Sequence, residues 1–234
     1  MQEEPYWGGL FRLAGVAALI AGPLTMIDIM VYVIWPQPST ITAWFSLFHG
    51  NWIVGLLDLD FLGMIIYVII VPAIIALYLI LRRTSLSWAT VGGVLTFVGM
   101  AAYFASNTGI SMLSLSGQYA AATTDAQRAM FLAAGQAAVA IFMGPAFTTS
   151  FCIVSSALLV TAVAMLRSRE FDGRVAYIGI IANVAGLAEF LPAPLAFTMA
   201  VGLVNAIGLG IWFILFGRRL WQVGQYAQVE GGLK

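Results

Sequence analysis

The chain has 234 residues, of which 62% are hydrophobic and only 9% are charged. Ordinary soluble domains carry about 25% charged residues, so this composition excludes a soluble globular domain. Ten basic and ten acidic residues leave a formal net charge of zero, which excludes the basic field that nucleic-acid binding requires. We therefore expect an all-α polytopic membrane protein that contacts the lipid bilayer and does not bind nucleic acid.

Six apolar runs are long enough, or nearly long enough, for the roughly 20 residues that a bilayer core requires. No linker, low-complexity stretch or change in composition separates them, so we expect a single transmembrane domain over residues 1–234. The predicted spans cover residues 10–35, 52–81, 86–113, 146–166, 175–191 and 197–216.

Basic residues are distributed unevenly over the connections between these spans. With six spans, Arg128 lies alone on one side, and the other nine basic residues lie on the opposite side. Because Lys and Arg resist translocation, this asymmetry predicts that both termini are cytoplasmic and that the outer surface carries Arg128. The expected location is the inner (plasma) membrane of the cell. The nine basic residues expected on the cytoplasmic side are Arg12, Arg82, Arg83, Arg167, Arg169, Arg174, Arg218, Arg219 and Lys234.

Two helical features are expected outside the bilayer. Over about residues 38–50, Ile41, Trp44, Phe45 and Phe48 recur at helical spacing. This pattern predicts an outer interfacial helix between the first two spans.

The second outer feature is a helical arm over about residues 125–144. Thr124, followed three residues later by Gln127, resembles a capping box and predicts where this arm begins. A continuous helix over residues 125–166 would be about 60 Å long, about twice the hydrocarbon thickness. We therefore expect the Gly144-Pro145 pair to separate the arm from the fourth span.

Polar side chains within the spans concentrate near their outer ends. An ionised carboxylate facing lipid is costly, so such groups usually face the bundle interior or water. We therefore predict an outward-facing acidic cavity that takes a small-molecule ligand, a cation or a proton. The candidate ligand-binding residues are Asp28, Tyr32, Asp58, Asp60, Tyr103, Asn107, Thr148 and Glu189.

Several of these residues have a simpler interpretation. Asp28 could act only as a hydrogen-bonding partner of Tyr32, and Glu189 could extend to the membrane interface. Asp58 and Asp60 point about 200° apart on a helix, so at most one of them is expected to enter the cavity. The sequence leaves open which one does.

Other polar residues suggest either packing or metal binding. Asn183 and Asn205 are expected to be interhelical hydrogen-bond partners. His49 is the only histidine, and one hypothesis places it with Asp28 or Asp58 in a mixed oxygen and nitrogen metal site. The alternative is a protonated histidine favoured by the carboxyl-terminal end of the interfacial helix.

No motif identifies a reaction. The chain has no Walker loop, no dinucleotide-binding glycine fingerprint and no G-x-S-x-G nucleophile elbow, so no catalytic residue and no particular cofactor is predicted. Three hypotheses remain. The protein binds or transports a ligand through the acidic cavity; it is an accessory subunit whose outer helices dock a membrane-protein partner or a second copy; or it is an intramembrane enzyme that uses paired carboxylates, with or without a metal.

The order of the elements along the chain also resembles that of a known family. The elements are an opening Phe11-Arg12-Leu13-Ala14-Gly15 helix, a polar outer segment over residues 114–128, and Met165-Leu166-Arg167-Ser168-Arg169 leading into a helix with Gly179 and Gly186. In this layout the chain resembles the six-span bacterial membrane family known only as domain of unknown function 4386. The resemblance implies a bacterial inner-membrane setting and no particular activity or catalytic residue.

Overall fold

The computed structural model describes the backbone of residues 7–231 and the side chains of residues 7–226. Lys234, one of the nine basic residues above, lies outside the described residues. The regular structure within this part of the chain consists of ten α-helices. They are α1 (Gly8–Ile34), α2 (Ile41–Gly50), α3 (Trp52–Asp58), α4 (Phe61–Leu81), α5 (Leu86–Ser106), α6 (Gly109–Ala121), α7 (Asp125–Phe142), α8 (Pro145–Met165), α9 (Gly173–Ala188) and α10 (Leu195–Gly231).

The all-α membrane class expected from composition is confirmed. Five helical stretches are long and apolar enough to cross a membrane, namely α1, α4, α5 with α6, α7 with α8, and α10. The sixth expected span, over residues 175–191, corresponds to α9, an apolar helix of 16 residues that is shorter than the other five.

Two expected spans are interrupted, and one helix is longer than expected. The run over residues 52–81 breaks at Leu59 and Asp60, where Asp60 adopts a left-handed conformation with φ 57°. The run over residues 86–113 breaks after Ser106. Polar residues occupy both breaks, Asp58 and Asp60 at the first and Ser106, Asn107 and Thr108 at the second. Long apolar stretches flank each break, so the mean hydropathy of a whole span does not reveal it. The last helix continues past residue 216 and ends at Gly231.

Both predicted outer helices are present as helices. The interfacial helix is α2, and the arm is α7, which ends at Phe142 just before Pro145 begins α8. The predicted capping box is confirmed: the Thr124 hydroxyl accepts a hydrogen bond from the Gln127 backbone N–H at 3.2 Å. The Gln127 side-chain oxygen in turn accepts one from the Thr124 backbone N–H at 3.4 Å, which fixes the beginning of the arm.

Six helices pack in a closed ring, in which α1, α4, α5, α8, α9 and α10 follow one another and α10 returns to α1. Buried apolar side chains such as Leu77, Trp212 and Phe216 fill part of the interior. The four remaining helices, α2, α3, α6 and α7, form what we call the cap. Trp44, Phe45 and Phe48 of α2 are buried against other residues of this cap.

The antiparallel helices α1 and α10 approach each other along two series of glycines spaced seven residues apart. A Cβ atom on Gly22 would lie 2.7 Å from the carbonyl oxygen of Gly210, and one on Gly224 would lie 2.9 Å from that of Gly8. Small residues therefore let the two backbones touch, as is common between membrane helices. The series are Gly8, Gly15 and Gly22 on α1, and Gly210, Gly217 and Gly224 on α10.

Candidate functional site

The ring of six helices encloses a cavity of about 390 Å³ at the end nearer the cap, and every helix of the ring contributes to its lining. The cavity lies toward the carboxyl-terminal ends of α1, α5 and α9 and the amino-terminal ends of α4, α8 and α10. Five of the eight candidate residues line it, namely Asp28, Tyr32, Asp60, Tyr103 and Glu189.

Asp60 is the most deeply buried carboxylic acid in the cavity lining, with 4% of the residue exposed. Its left-handed backbone separates α3 from α4 and directs its side chain into the ring. The carboxyl group interacts with the side chains of Asp28, Tyr32 and Tyr103 and with the backbone N–H of Gly63. Its Oδ1 atom nevertheless has no hydrogen-bond partner, which leaves a buried acceptor without a donor.

The break that carries Asp60 is held by three side chains from different parts of the chain. The backbone carbonyls of three successive residues accept their hydrogen bonds. Gln37 Nε2 donates to Asp58 at 2.8 Å, Asn107 Nδ2 donates to Leu59 at 2.7 Å, and the Tyr103 hydroxyl donates to Asp60 at 2.9 Å. The Asp58 and Leu59 carbonyls at the end of α3 thereby gain partners, whereas the Asp60 carbonyl also accepts from the Met64 backbone N–H at 3.3 Å. These bonds fix the orientation of Asp60.

Three of the predicted site residues do not line the cavity. Asn107 holds the helix break instead, and its Oδ1 atom also accepts a hydrogen bond from the Gly109 backbone N–H at 3.0 Å. The Thr148 hydroxyl donates to the Gly144 carbonyl at 3.5 Å within its own helical turn. Asp58 is 1% exposed and has an unpartnered Oδ1 atom outside the cavity, and burial raises the pKa of its carboxyl group to about 6.

An aromatic wall surrounds the Asp60 end of the cavity. The ring of Tyr103 lies 4.7 Å from that of Tyr67, 5.7 Å from that of Phe147 and 6.2 Å from that of Phe151. The sequence prediction missed Tyr67 and both phenylalanines. Tyr67 follows Asp60 by seven residues, two helical turns, and that spacing was a usable signal that both share one face.

The two intramembrane asparagines differ in their contacts. Asn205 Nδ2 on α10 donates to the Ala182 carbonyl on α9 at 2.9 Å, as expected for an interhelical partner. For Asn183 that expectation is wrong, because its Nδ2 donates to the Gly179 carbonyl of its own helix at 2.7 Å. Asn183 is fully buried and lines the cavity, and its Oδ1 atom has no partner.

The acidic cavity lies apart from most of the basic side chains. The described lining of the cavity contains three carboxylic acids and no Lys, Arg or His. Every described arginine except Arg128 lies at the other end of the ring, where Arg219 pairs with Glu170 at 2.9 Å and the Arg12 guanidinium lies over the ring of Trp221. The cavity therefore has an acidic lining within an apolar bundle.

The structure does not support the predicted metal site at His49. The side chain of His49 is exposed on α2. Within the described part of the chain, no group of three or more His, Cys, Asp or Glu side chains is arranged to hold a metal ion.

Chemically, the cavity combines hydrogen-bond acceptors, acidic groups and aromatic faces. Such a surface favours a positively charged ligand, or protons, over an anion. No family model matches the chain, and neither a curated protein nor a solved structure matches it.

Proposed function

We propose that this integral membrane protein binds a small molecule, a cation or protons in the acidic cavity, in a transport or binding role. One observation carries the proposal: Asp28, Asp60 and Glu189 come from separate helices of the ring and line one cavity whose described lining has no basic side chain. Burying three carboxylic acids without a cation is costly within a membrane protein, so a bound positive charge is a natural reason for their convergence.

We further propose that the chain crosses the membrane six times, with both termini cytoplasmic and the cavity opening to the outer side. The packing of α9 between α8 and α10 supports its role as the sixth span. Every described arginine except Arg128 lies at the end of the ring away from the cavity, which supports the orientation. The resemblance to the six-span bacterial family supports an inner-membrane setting.

Access to the cavity from outside can be tested with two neighbouring positions on α1. In a Cys152→Ser background, Ile29→Cys places a thiol in the cavity lining. Ile27→Cys, the matched control, places one on the outward face of the same helical turn, where Ile27 is 53% exposed. Intact cells are treated with membrane-impermeant methanethiosulfonates of similar size, one cationic and one anionic.

We expect the cationic reagent to modify Ile29→Cys about tenfold faster than the anionic reagent, because an acidic recess concentrates cations. The control position should react with neither reagent. An unreactive thiol at Ile29→Cys, or equal rates with both reagents, would contradict a wet acidic cavity that opens outward.

A second role is suggested by the cap. Three apolar side chains on the arm and directly after it are each more than half exposed, namely Met130, Ile141 and Met143. Exposed apolar side chains are typical of docking surfaces. In this alternative the protein is an accessory subunit, and the outer helices contact a membrane-protein partner or a second copy. Mass measurement after gentle extraction tests it, because only monomer under several mild conditions would argue against docking.

A further inference from the structure

We propose that the ligand is a protonated amine with an apolar or aromatic body, whose ammonium group binds at Asp60 beside Asp28 and whose body packs against Tyr67 and Phe147. This inference rests on the proposed function and narrows its ligand class. It excludes a bare metal ion and a proton alone as the main occupants of the cavity.

The size of the cavity favours an organic ligand. Its volume is about 390 Å³, whereas one water molecule takes about 30 Å³ in the liquid. Small-molecule sites generally measure about 300–1,000 Å³. A single dehydrated inorganic cation would therefore leave most of the cavity unfilled.

The buried polar atoms without partners indicate that the ligand must donate hydrogen bonds. Asp60 and Asn183 are 4% and 0% exposed, and in both side chains the Oδ1 atom has no hydrogen-bond partner. Both atoms are acceptors, and both residues line the cavity. A buried acceptor requires a donor, so a ligand with N–H groups fits better than a quaternary ammonium ion, which has none.

The aromatic wall matches the remainder of such a ligand. The rings of Tyr67 and Tyr103 meet edge to face at 4.7 Å, and those of Phe147 and Phe151 lie 5.2 Å apart. Aromatic faces attract organic cations through their quadrupoles and also bury apolar surface. The acids do not form a metal-binding group within the described residues, whereas Ca²⁺ requires about six to eight oxygen ligands.

The experiment uses three probes of similar size and shape that differ in charge. They are 2-phenylethylammonium, the neutral 2-phenylethanol and the anionic 3-phenylpropionate. Binding is measured by isothermal titration calorimetry at pH 7 with the full chain in lipid nanodiscs. We expect the ammonium probe to bind about tenfold or more tightly than the alcohol, because a charge-assisted hydrogen bond is available only to the ammonium ion. The anion should not bind.

The helix break supplies a matched pair of variants. Asp60→Asn keeps the shape of the side chain and removes its charge in the cavity, and we expect it to weaken binding of the ammonium probe about tenfold or more. Asp58→Asn makes the same change two residues away, outside the cavity, and should leave the affinity within about twofold of the original. Tyr67→Leu is a second cavity variant for the case that Asp60→Asn does not fold. It should also weaken binding of the ammonium probe.

The outcomes separate this inference from the broader proposal. If 2-phenylethanol binds as tightly as 2-phenylethylammonium, or Asp60→Asn leaves the affinity unchanged, the protonated-amine inference is overturned and the cavity remains a binding site. If no probe binds, and neither Na⁺, K⁺ nor proton uptake on acidification is detected, both proposals fail.

Discussion

Asp58 and Asp60 are both buried and each has an unpartnered Oδ1 atom, yet only Asp60 lines the cavity. The helix break between them turns the two carboxyl groups in different directions. Asp60 lines the cavity of the ring, whereas Asp58 is buried near the cap. Substitution of Asp60 therefore tests ligand binding, and substitution of Asp58 tests stability. Each variant is the control for the other.

The buried carboxyl of Asp58 should make stability depend on pH. Burial raises its pKa from 3.8 to about 6, so the folded state holds this proton where the unfolded state has lost it. Stability should therefore fall as the pH rises from about 4 to about 6, and the penalty should persist above that window. Asp58→Asn cannot ionise and should remove this part of the pH dependence.

Melting temperatures of the original protein and Asp58→Asn between pH 4 and pH 8 would measure this effect. We expect the variant to gain stability relative to the original protein as the pH rises. Asp125→Asn, which alters an exposed carboxyl on the arm, is the control and should keep the original profile. Parallel curves for Asp58→Asn and the original protein would show that Asp58 carries no ionisation penalty.

Asn107 joins two helix breaks, because it donates to the Leu59 carbonyl and accepts from the Gly109 backbone N–H. Asn107→Leu should lower the free energy of unfolding by about 1–3 kcal/mol, since both backbone groups lose their partner. It should also weaken binding of 2-phenylethylammonium at temperatures well below melting, because the loop that orients Asp60 loses one of its three supports.

Gln118→Leu is a suitable control for this prediction. The Gln118 amide is exposed and donates only to Ser114 on the same helix, so its loss should change the free energy of unfolding by about 0.5 kcal/mol or less. If Asn107→Leu resembles this control in both unfolding and binding, the hydrogen bonds at the break do not position Asp60.

The sequence predicted the helices better than their interruptions. Long apolar runs and the Thr124 capping box are local signals, so α1, α8 and the beginning of α7 were anticipated within a few residues. The break at Leu59 and Asp60 depends on hydrogen bonds from Gln37 and Tyr103, which are distant in the sequence. Tertiary contacts of this kind leave no trace in hydropathy, and the continuous span expected over residues 52–81 was wrong.

The residues of the candidate site divide in a similar way. Asp28 and Glu189 were identified because a carboxylic acid is conspicuous in an apolar run, and the structure places both in one cavity. Phe147 was missed because aromatic residues are common throughout a membrane bundle, where a ligand-facing ring has the same sequence signal as a core ring. Asn107 and Asp58 were candidates because of their depth and the helices on which they were expected to lie, and the two helix breaks change the direction of both side chains.

The glycine contacts between α1 and α10 should be sensitive to a single methyl group. In Gly22→Ala the added Cβ atom would lie 2.7 Å from the Gly210 carbonyl oxygen, so the helix backbones must separate. We expect a loss of about 1–3 kcal/mol in the free energy of unfolding, as for other overpacked sites. Gly9→Ala, where the new Cβ atom meets no other atom within 4 Å, should be nearly neutral, and equal effects of both variants would contradict close packing at Gly22.

The capping box of the arm gives a test that also reports the orientation of the protein. Thr124→Ala removes the hydroxyl that accepts from the Gln127 backbone N–H, which should cost about 1 kcal/mol and loosen the first turn of α7. Arg128 is exposed in that turn, so trypsin should cleave after it about fivefold faster than in the original protein, as expected when cleavage follows local opening. Ser114→Ala, which alters an exposed hydroxyl on α6 that accepts only from Gln118, should change the rate much less.

In right-side-out vesicles the proposed topology exposes Arg128 to trypsin added outside. We therefore expect cleavage of Thr124→Ala there without permeabilisation, because the other described basic residues lie at the opposite end of the ring. Cleavage after Arg128 only in inverted vesicles would reverse the proposed orientation and place the acidic cavity on the cytoplasmic side. Identical cleavage rates for Thr124→Ala and Ser114→Ala would instead show that the Thr124 capping box does not control opening of the arm.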